Sequence, residues 1–155
     1  MMQAVLFVCT GNLYRSPISA ALFKALLAQD QPVASGWRIE SAGTWAQANQ
    51  SAPPEVIQVM AKRGLDLKSH RSRMVSAEIL AGFDLILTME SGQKEALCIE
   101  FPQFAGRVFM LSEMAGTRVT INDPVDRSVD GISEVAQEIE DWLKKGKYQI
   151  IQLAR

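Results

Sequence analysis

Residues 5–17 constrain the fold more than any other part of this 155-residue chain. Residues 4–8 are apolar without alternation, which is typical of a strand buried on both faces of a parallel sheet. Ser16 and Pro17 are typical of the N-cap and first residue of a helix. From Ile18 onward, apolar residues recur at helical spacing. The sequence therefore predicts a strand, a tight loop and an amphipathic helix in direct succession.

The predicted loop is suited to binding an anion. Its N–H groups and the amino end of the helix form a concave site that favours negative charge. Arg15 adds a planar guanidinium that can hold two phosphate oxygens. Cys9 stands where a cysteine nucleophile is expected, and Ser16 can hydrogen-bond its sulfur. Gly11 lets the backbone approach an oxyanion, and Asn12 tolerates the left-handed conformation of a tight loop.

Each of these residues also has an ordinary explanation. A cysteine at the end of a buried strand is usually a small hydrophobic residue, and a Cys–Arg pair at this spacing also arises by chance. The strand before the loop, the glycine within it and the helix after it together favour the catalytic interpretation.

The rest of the chain alternates short strands with helices. Further strands are predicted at residues 37–42, 83–89 and 108–111. The first helix is predicted to end near residue 28, and residues 31–36 are predicted to form a polar turn. A second helix is predicted to start at Pro53 and Pro54 and to stop at Gly64. Two more helices are predicted, one over residues 92–98 with Ser91 as cap and one from Ile132 to Gly146. This alternation predicts an α/β protein of three α/β/α layers, in which a doubly wound, four-stranded parallel sheet of flavodoxin-like type forms one domain over residues 1–155.

Composition narrows the functional classes. A hydrophobic content of 48%, a charged content of 21% and a net charge of −1 are typical of a globular protein and argue against a broad nucleic-acid or anionic-membrane surface. Two cysteines, Cys9 and Cys98, are too few for a disulfide scaffold and fit a reducing cytoplasm. No apolar run reaches transmembrane length, and the first residues lack a signal-peptide pattern. We expect a cytoplasmic enzyme, a monomer or weak dimer, with neither nucleic acid nor membrane as partner.

The loop Cys9-Thr10-Gly11-Asn12-Leu13-Tyr14-Arg15-Ser16-Pro17 resembles the phosphate-binding loop of the low-molecular-weight protein tyrosine phosphatases. Other landmarks follow in the family's order and approximate spacing, at residues 41–44, 64–67, 70–73, 83–89 and 123–124. The resemblance implies the phosphotyrosine protein phosphatase I-like fold. It also implies an enzyme that hydrolyses phosphotyrosine on proteins through a cysteinyl phosphate, with no cofactor and no metal.

The resemblance further implies roles for individual residues. Cys9 is the nucleophile, Arg15 holds the phosphate, and Asp123, placed before Pro124, is the acid that protonates the leaving group and then activates water. The phosphate contacts are assigned to Thr10, Gly11, Asn12, Leu13, Tyr14, Arg15 and Ser16. Supporting roles fall to Asn12, Ser16, Ser41 and His70, the last of which braces the loop through hydrogen bonds. An Asp-Pro pair is by itself an ordinary turn signal, and Asp126 and Asp130 are alternative acids.

The candidate walls of the substrate pocket are Leu13, Trp45 and Val125, together with Tyr14. Packing in the core is an equally good explanation for Trp45. A related branch of the family acts on phosphoarginine and carries a threonine where this chain has Leu13, so the apolar side chain favours an aryl ring. Family members commonly place aromatic residues directly after the Asp-Pro pair, where Val125 stands here. Phosphatase chemistry therefore follows more directly from these residues than phosphotyrosine specificity does.

Other functions remain open from the sequence. Arsenate reductases share the loop and the fold, but their chemistry passes through further cysteines, and this chain offers only Cys98. The family loop often contains a second, protective cysteine, which is absent here, so an oxidised Cys9 would need Cys98 or an external thiol. A non-catalytic phosphoprotein-binding module would keep Arg15 but would need neither Cys9 nor Asp123. Bacterial relatives often oppose tyrosine autokinases, so the resemblance implies a phosphorylated protein, such as an autokinase, as partner.

Overall fold

One parallel sheet organises the molecule, whose computed structural model describes residues 2–29 and 36–155. Its strands are β1 (Gln3–Cys9), β2 (Trp37–Gly43), β3 (Leu85–Thr88) and β4 (Val108–Met110). They lie in the order β2-β1-β3-β4, and every neighbouring pair is parallel. β1 is central and buried from Ala4 to Cys9, as its unbroken apolar run predicts. The predicted four-stranded parallel sheet is confirmed, and its order is that of flavodoxin-like folds.

Helices cover both faces of the sheet. They are α1 (Arg15–Ala28), α2 (Pro54–Lys62), α3 (Ala77–Ala81), α4 (Ser91–Glu100) and α5 (Val129–Leu153), with 3₁₀ turns at Pro102–Arg107 and Leu111–Ala115. Alternate residues of β1 enter two separate apolar clusters. Val5 and Phe7 pack with α1, α2 and α5 on one face, whereas Leu6 and Val8 pack with α3 and α4 on the other. The predicted three-layer α/β/α architecture is therefore confirmed.

Two predicted helix starts are wrong. α1 begins at Arg15 with Tyr14 as its N-cap, so Ser16 and Pro17 lie inside the first turn. The Ser16 hydroxyl is used within the loop instead, and a proline is tolerated there because first-turn N–H groups have no partner within the helix. For α4 the cap is Glu90 and not Ser91, and the Glu90 backbone N–H donates to Oε1 of Gln93, the third helical residue, at 3.0 Å.

The last helix is longer than predicted at both ends. Ser128 caps α5 by accepting a hydrogen bond from the Gly131 N–H at 3.3 Å, so the helix starts before Ile132. Gly146 does not end the helix. This buried glycine packs against the 3₁₀ turn at Leu111–Ala115, and a Cβ on it would lie 2.6 Å from the Met114 Cβ. The glycine therefore serves close packing, and the helix continues through Tyr148 to Leu153.

The remaining predicted boundaries agree with the structure to within a few residues. The second helix begins at Pro54 and ends at Lys62, two residues before the predicted stop at Gly64. The turn predicted over residues 31–36 lies, except for Gly36, outside the described residues. Within the described part of the chain, no helix has the length and apolar character that crossing a membrane requires.

Candidate active site

Cys9 lies at the carboxyl end of the central strand, where residues 10–14 turn the chain into α1. Its side chain is buried, and its Sγ lies 3.0 Å from the Oγ of Ser16 in the first turn of the helix. A hydroxyl at this distance can donate a hydrogen bond to a thiolate. The carboxyl ends of parallel strands next to a topological switch point are where doubly wound sheets bind ligands, and Cys9 occupies that position.

Asn12 holds the loop in shape. It is completely buried and adopts a φ of +59°, the left-handed region that asparagine tolerates. Its Nδ2 donates hydrogen bonds to the Oγ atoms of Ser16 at 2.8 Å and Ser41 at 3.0 Å. Its Oδ1 accepts from the Arg73 N–H at 3.0 Å, and its carbonyl oxygen lies 2.8 Å from Nε2 of His70. The loop is therefore fixed by partners from three other segments.

His70 acts on the loop as a neutral donor. A carbonyl oxygen only accepts hydrogen bonds, so Nε2 carries the proton that His70 gives to Asn12. Burial lowers the pKa of His70, and the nearby guanidiniums of Arg71 and Arg73 lower it further. The hydrogen bond to Asn12 raises the pKa, but the net shift is downward. The imidazole is therefore uncharged at neutral pH.

One side-chain nitrogen of Arg15 has no hydrogen-bond partner among the described residues. The side chain is 3% exposed, and its Nη1 donates hydrogen bonds to the Glu90 carboxylate and to the Ile121 carbonyl oxygen. Its Nε is the one buried side-chain nitrogen or oxygen without a hydrogen-bond partner in the described part of the chain. Buried donors are almost always paired, so this edge of the guanidinium is available for an oxyanion.

Sequence reasoning missed Glu90 and Gln93, which fix Arg15 and the loop. Glu90 forms an ion pair with Arg15. The Gln93 amide nitrogen donates to the Thr10 hydroxyl at 3.1 Å, and its Oε1 accepts from the N–H groups of Met89 and Glu90. Their position just after β3, which pairs with β1, was the available signal, because the carboxyl ends of adjacent parallel strands lie at the same edge of the sheet.

Asp123 comes to the same site from the loop between Ala115 and α5. Its carboxylate lies 3.6 Å from the Nε of Arg15 and 2.9 Å from Nη2 of Arg127. The guanidinium of Arg127 in turn lies 4.7 Å from the centre of the Tyr14 ring, within the range of a cation–π contact. Arg127, which the sequence did not suggest, thus connects the carboxylate to the phosphate loop.

The alternative acids lie elsewhere. Asp126 accepts a hydrogen bond from the backbone N–H of Ser128 at 2.9 Å, and Asp130 belongs to the first turn of α5. Of the three carboxylates, Asp123 is the one that the structure places against Arg15.

The candidate pocket walls border the loop. Trp45 is 81% exposed, which contradicts a role in core packing, and its backbone N–H donates to the Thr10 carbonyl oxygen at 3.0 Å. Leu13 and Tyr14 are half-buried in the loop itself, and Val125, two residues after Asp123, is fully exposed. Exposed apolar side chains beside an anion site suit a substrate with an apolar body.

The two cysteines are separated by the sheet. Cys9 belongs to the apolar cluster that contains α1, and Cys98 on α4 packs against the cluster on the opposite face. Both are free thiols. In residues 2–29 and 36–155, no group of three or more His, Cys, Asp or Glu side chains is arranged to hold a metal ion.

Gly43→Ala is expected to damage the loop from outside it. Gly43 ends β2 opposite Cys9, and a Cβ there would lie 2.4 Å from the Thr10 carbonyl oxygen and 3.2 Å from the Asn12 Cβ. The loop backbone would have to shift, which should lower the free energy of unfolding by about 1–3 kcal/mol and weaken the binding of inorganic phosphate. Urea unfolding and calorimetric titration measure the two effects.

Gly92→Ala is the matched control for that experiment. A Cβ at Gly92 meets nothing within 4 Å, and alanine suits the helix in which it lies. Its stability and phosphate affinity should be those of the native chain or slightly higher. Equal behaviour of the two variants would show that the loop does not depend on close contact with Gly43.

Comparison with known proteins adds to this geometry. The sequence profile described as "Low molecular weight phosphotyrosine protein phosphatase" matches residues 4–152. The chain is 34% identical over 140 residues to the "Probable low molecular weight protein-tyrosine-phosphatase EpsP" of Ralstonia nicotianae, covering 90% of each chain. It is 30% identical over 142 residues to the "Protein-arginine-phosphatase" of Bacillus subtilis, covering 91% of this chain and 92% of that one.

The chain is also similar to solved structures. The tyrosine phosphatase Wzb from Escherichia coli K30, solved in complex with sulphate, superimposes with a TM-score of 0.81 at 29% identity, covering 99% of both chains.

Proposed function

Because this chain belongs to the low molecular weight phosphotyrosine protein phosphatase family, we propose that Cys9, Arg15 and Asp123 are the residues with which it hydrolyses phosphate esters. The chain is a phosphatase of that family. One observation carries the assignment of residues. The buried, unpaired Nε of Arg15 lies beside the Asp123 carboxylate, in a side chain that begins α1 directly after the loop of Cys9. An equatorial phosphate oxygen would supply the missing hydrogen-bond acceptor.

In the first step the Cys9 thiolate attacks phosphorus and forms an S–P bond. The bond between phosphorus and the ester oxygen breaks, and Asp123 in its acid form gives that oxygen a proton. The free edge of Arg15 and the loop N–H groups bind the equatorial oxygens, on which negative charge is spread in the transition state. The products of this step are an alcohol or phenol and a cysteinyl phosphate.

In the second step water attacks the cysteinyl phosphate. The Asp123 carboxylate takes a proton from that water, the S–P bond breaks, and inorganic phosphate leaves. The departing thiolate of Cys9 receives a hydrogen bond from Ser16, whose Oγ lies 3.0 Å away. Ser16 is itself oriented by Asn12, so the shape of the loop supports both steps.

We infer that the substrates are proteins phosphorylated on tyrosine. Leu13 offers an apolar side chain within the loop, and the indole of Trp45 and the side chain of Val125 are exposed on segments that border it, which suits the ring of a phenyl phosphate. A tyrosine autokinase is the partner that the family resemblance suggests. The two free cysteines fit a reducing cytoplasm.

The sheet between Cys9 and Cys98 disfavours a reductase that relays oxidation between them. Such a relay needs the two Cα atoms within about 7 Å, and these residues pack on opposite faces. No observation favours a binding module over the enzyme.

Asp123→Asn is the variant that tests this proposal. With a phosphotyrosine peptide, whose leaving group needs a proton, kcat/KM, which reports the first chemical step, should fall by about 10²–10⁴-fold. With an aryl phosphate whose phenol is strongly acidic, the fall should be much smaller, because that phenolate leaves without protonation. Steady-state kinetics on both substrates measure the difference.

Asp126→Asn is the control, since its carboxylate lies in the same exposed loop but accepts its hydrogen bond from Ser128. It should leave both rates unchanged. Equal losses of kcat/KM for good and poor leaving groups in Asp123→Asn would contradict the assignment of the acid. Faster hydrolysis of a phosphoarginine peptide than of the phosphotyrosine peptide of the same sequence would contradict the inferred substrate.

A further inference from the structure

A cavity of about 580 Å³ lies behind the phosphate loop, between α1, the end of β2 and residues 65–73. None of residues 9–16 lines it, so it is separate from the site where the phosphate would bind. The volume is within the range of small-molecule sites. Its apolar lining consists mainly of Ala20, Ala21, Ala25, Ile39, Leu65 and Leu67.

Positive charge predominates at the rim of this cavity. Lys24 lines it and takes part in no ion pair within the described residues, and Arg71 donates only to the backbone carbonyls of Lys68 and His70 there. The other lining charges are Asp66, whose carboxylate accepts from a backbone N–H, and the ion pair that Arg73 forms with Glu40. In the described part of the molecule, the rim thus has two cations without a carboxylate partner, Lys24 and Arg71, and one carboxylate without a cationic partner, that of Asp66.

The wall of the cavity is connected directly to the phosphate loop. Three of its lining residues, Ser41, His70 and Arg73, each form a hydrogen bond with Asn12. Together they provide all the hydrogen bonds described above for Asn12 except the one to Ser16. A molecule in the cavity would therefore touch residues that determine the shape of the loop, Ser41 and His70 through their side chains and Arg73 through its backbone N–H.

We propose that this cavity binds a small amphiphilic anion, with an aromatic or aliphatic body and one carboxylate, and that this ligand and phosphate bind cooperatively. The apolar lining takes the body, and Lys24 and Arg71 take the carboxylate. A ligand packed against Ser41, His70 and Arg73 holds these partners of Asn12 where the phosphate-binding loop needs them. Since both ligands favour one arrangement of the loop, each tightens the binding of the other.

The test uses the anion of 2-naphthoic acid as probe and backbone amide NMR as readout. Saturable shifts are expected at residues 65–73 and in the part of α1 that faces the cavity, with inorganic phosphate absent and with it saturating. The dissociation constant of inorganic phosphate, read from the amides of the loop, should fall by about fivefold when the probe is saturating. The neutral amide of the same acid should bind more weakly and serves as the probe control.

Two variants place the probe in the cavity. Lys24→Gln should weaken probe binding by up to about fivefold, the range for one exposed charge, while leaving hydrolysis of an aryl phosphate unchanged. Lys62→Gln, which removes the same charge from α2 outside the cavity, should weaken nothing. Ala21→Leu fills part of the lining and should abolish probe binding even if Lys24 contributes little.

Three results would overturn the proposal. One is displacement of the probe by inorganic phosphate, which would put the probe at the catalytic loop. Another is probe binding that leaves the phosphate dissociation constant unchanged or raises it. The third is binding that Ala21→Leu does not affect. These three results are read from binding and not from turnover, so they are independent of the catalytic roles proposed for Cys9 and Asp123.

Discussion

Cys9→Ser should lower kcat for an aryl phosphate by about 10⁴-fold or more, the range in which loss of an enzyme nucleophile falls. A serine hydroxyl is almost entirely protonated near neutral pH, so it needs an adjacent base to act as a nucleophile. The only histidine in the chain, His70, already gives its Nε2 proton to the Asn12 carbonyl. No imidazole is therefore available to activate the serine.

The same variant should still bind phosphate. Arg15 and the loop N–H groups are unchanged, and serine differs from cysteine by one atom. Calorimetric titration with inorganic phosphate should give a dissociation constant close to the native value, which separates loss of chemistry from loss of fold. Cys98→Ser, on the opposite side of the sheet, is the control and should retain full activity. Retention of more than about one per cent of native kcat in Cys9→Ser would contradict a cysteinyl phosphate.

Arg15→Lys should lower kcat/KM by about 10²–10³-fold, which is typical for removal of one preorganised group that stabilises the transition state. Lysine keeps the positive charge but has no planar fork, so it cannot both bind Glu90 and present a second edge to phosphate. In contrast to Cys9→Ser, this variant should lose phosphate affinity as well as rate. Steady-state kinetics and phosphate titration on one preparation measure both.

Arg63→Lys is the matched control for that experiment. Arg63 also pairs with a glutamate, Glu140, at 2.9 Å, but it joins α2 to α5 away from the loop. It should show native kinetics and a small change in stability, as a partly exposed ion pair warrants. Native phosphate affinity in Arg15→Lys would mean that the free edge of the guanidinium is not the phosphate ligand.

The central strand, the loop and α1 were predictable because their signal is continuous in sequence. An unbroken apolar run specifies a strand buried on both faces, and helical periodicity resumes at once after the loop. The boundaries were less accurate where a side chain has a competing use. Ser16 is a good N-cap by type, but its hydroxyl pairs with Cys9 and Asn12 instead, which no local pattern reveals.

The sequence could place some partners of the site at the right edge of the sheet but could not say which side chains they contact, because the partners come from distant segments. Glu90 lies 75 residues from the arginine it fixes. Arg127 is recognisable only once Tyr14 and Asp123 are seen beside it. Glycine is a poor helix former, so Gly146 is predicted to end the helix. In the structure it lies within the helix, where its lack of a side chain allows close packing against Met114.

The hydrogen bonds of Asn12 have a consequence for the order in which the molecule can assemble. They join it to residues that are 4, 29, 58 and 61 positions away. Closing such long loops costs conformational entropy before the stabilising contacts have formed. A fragment that stops at the end of α1 would contain every residue of the phosphate loop but only the first of these four bonds. The loop therefore has all four bonds only when the chain as far as residue 73 has docked, although its defining sequence is short and local.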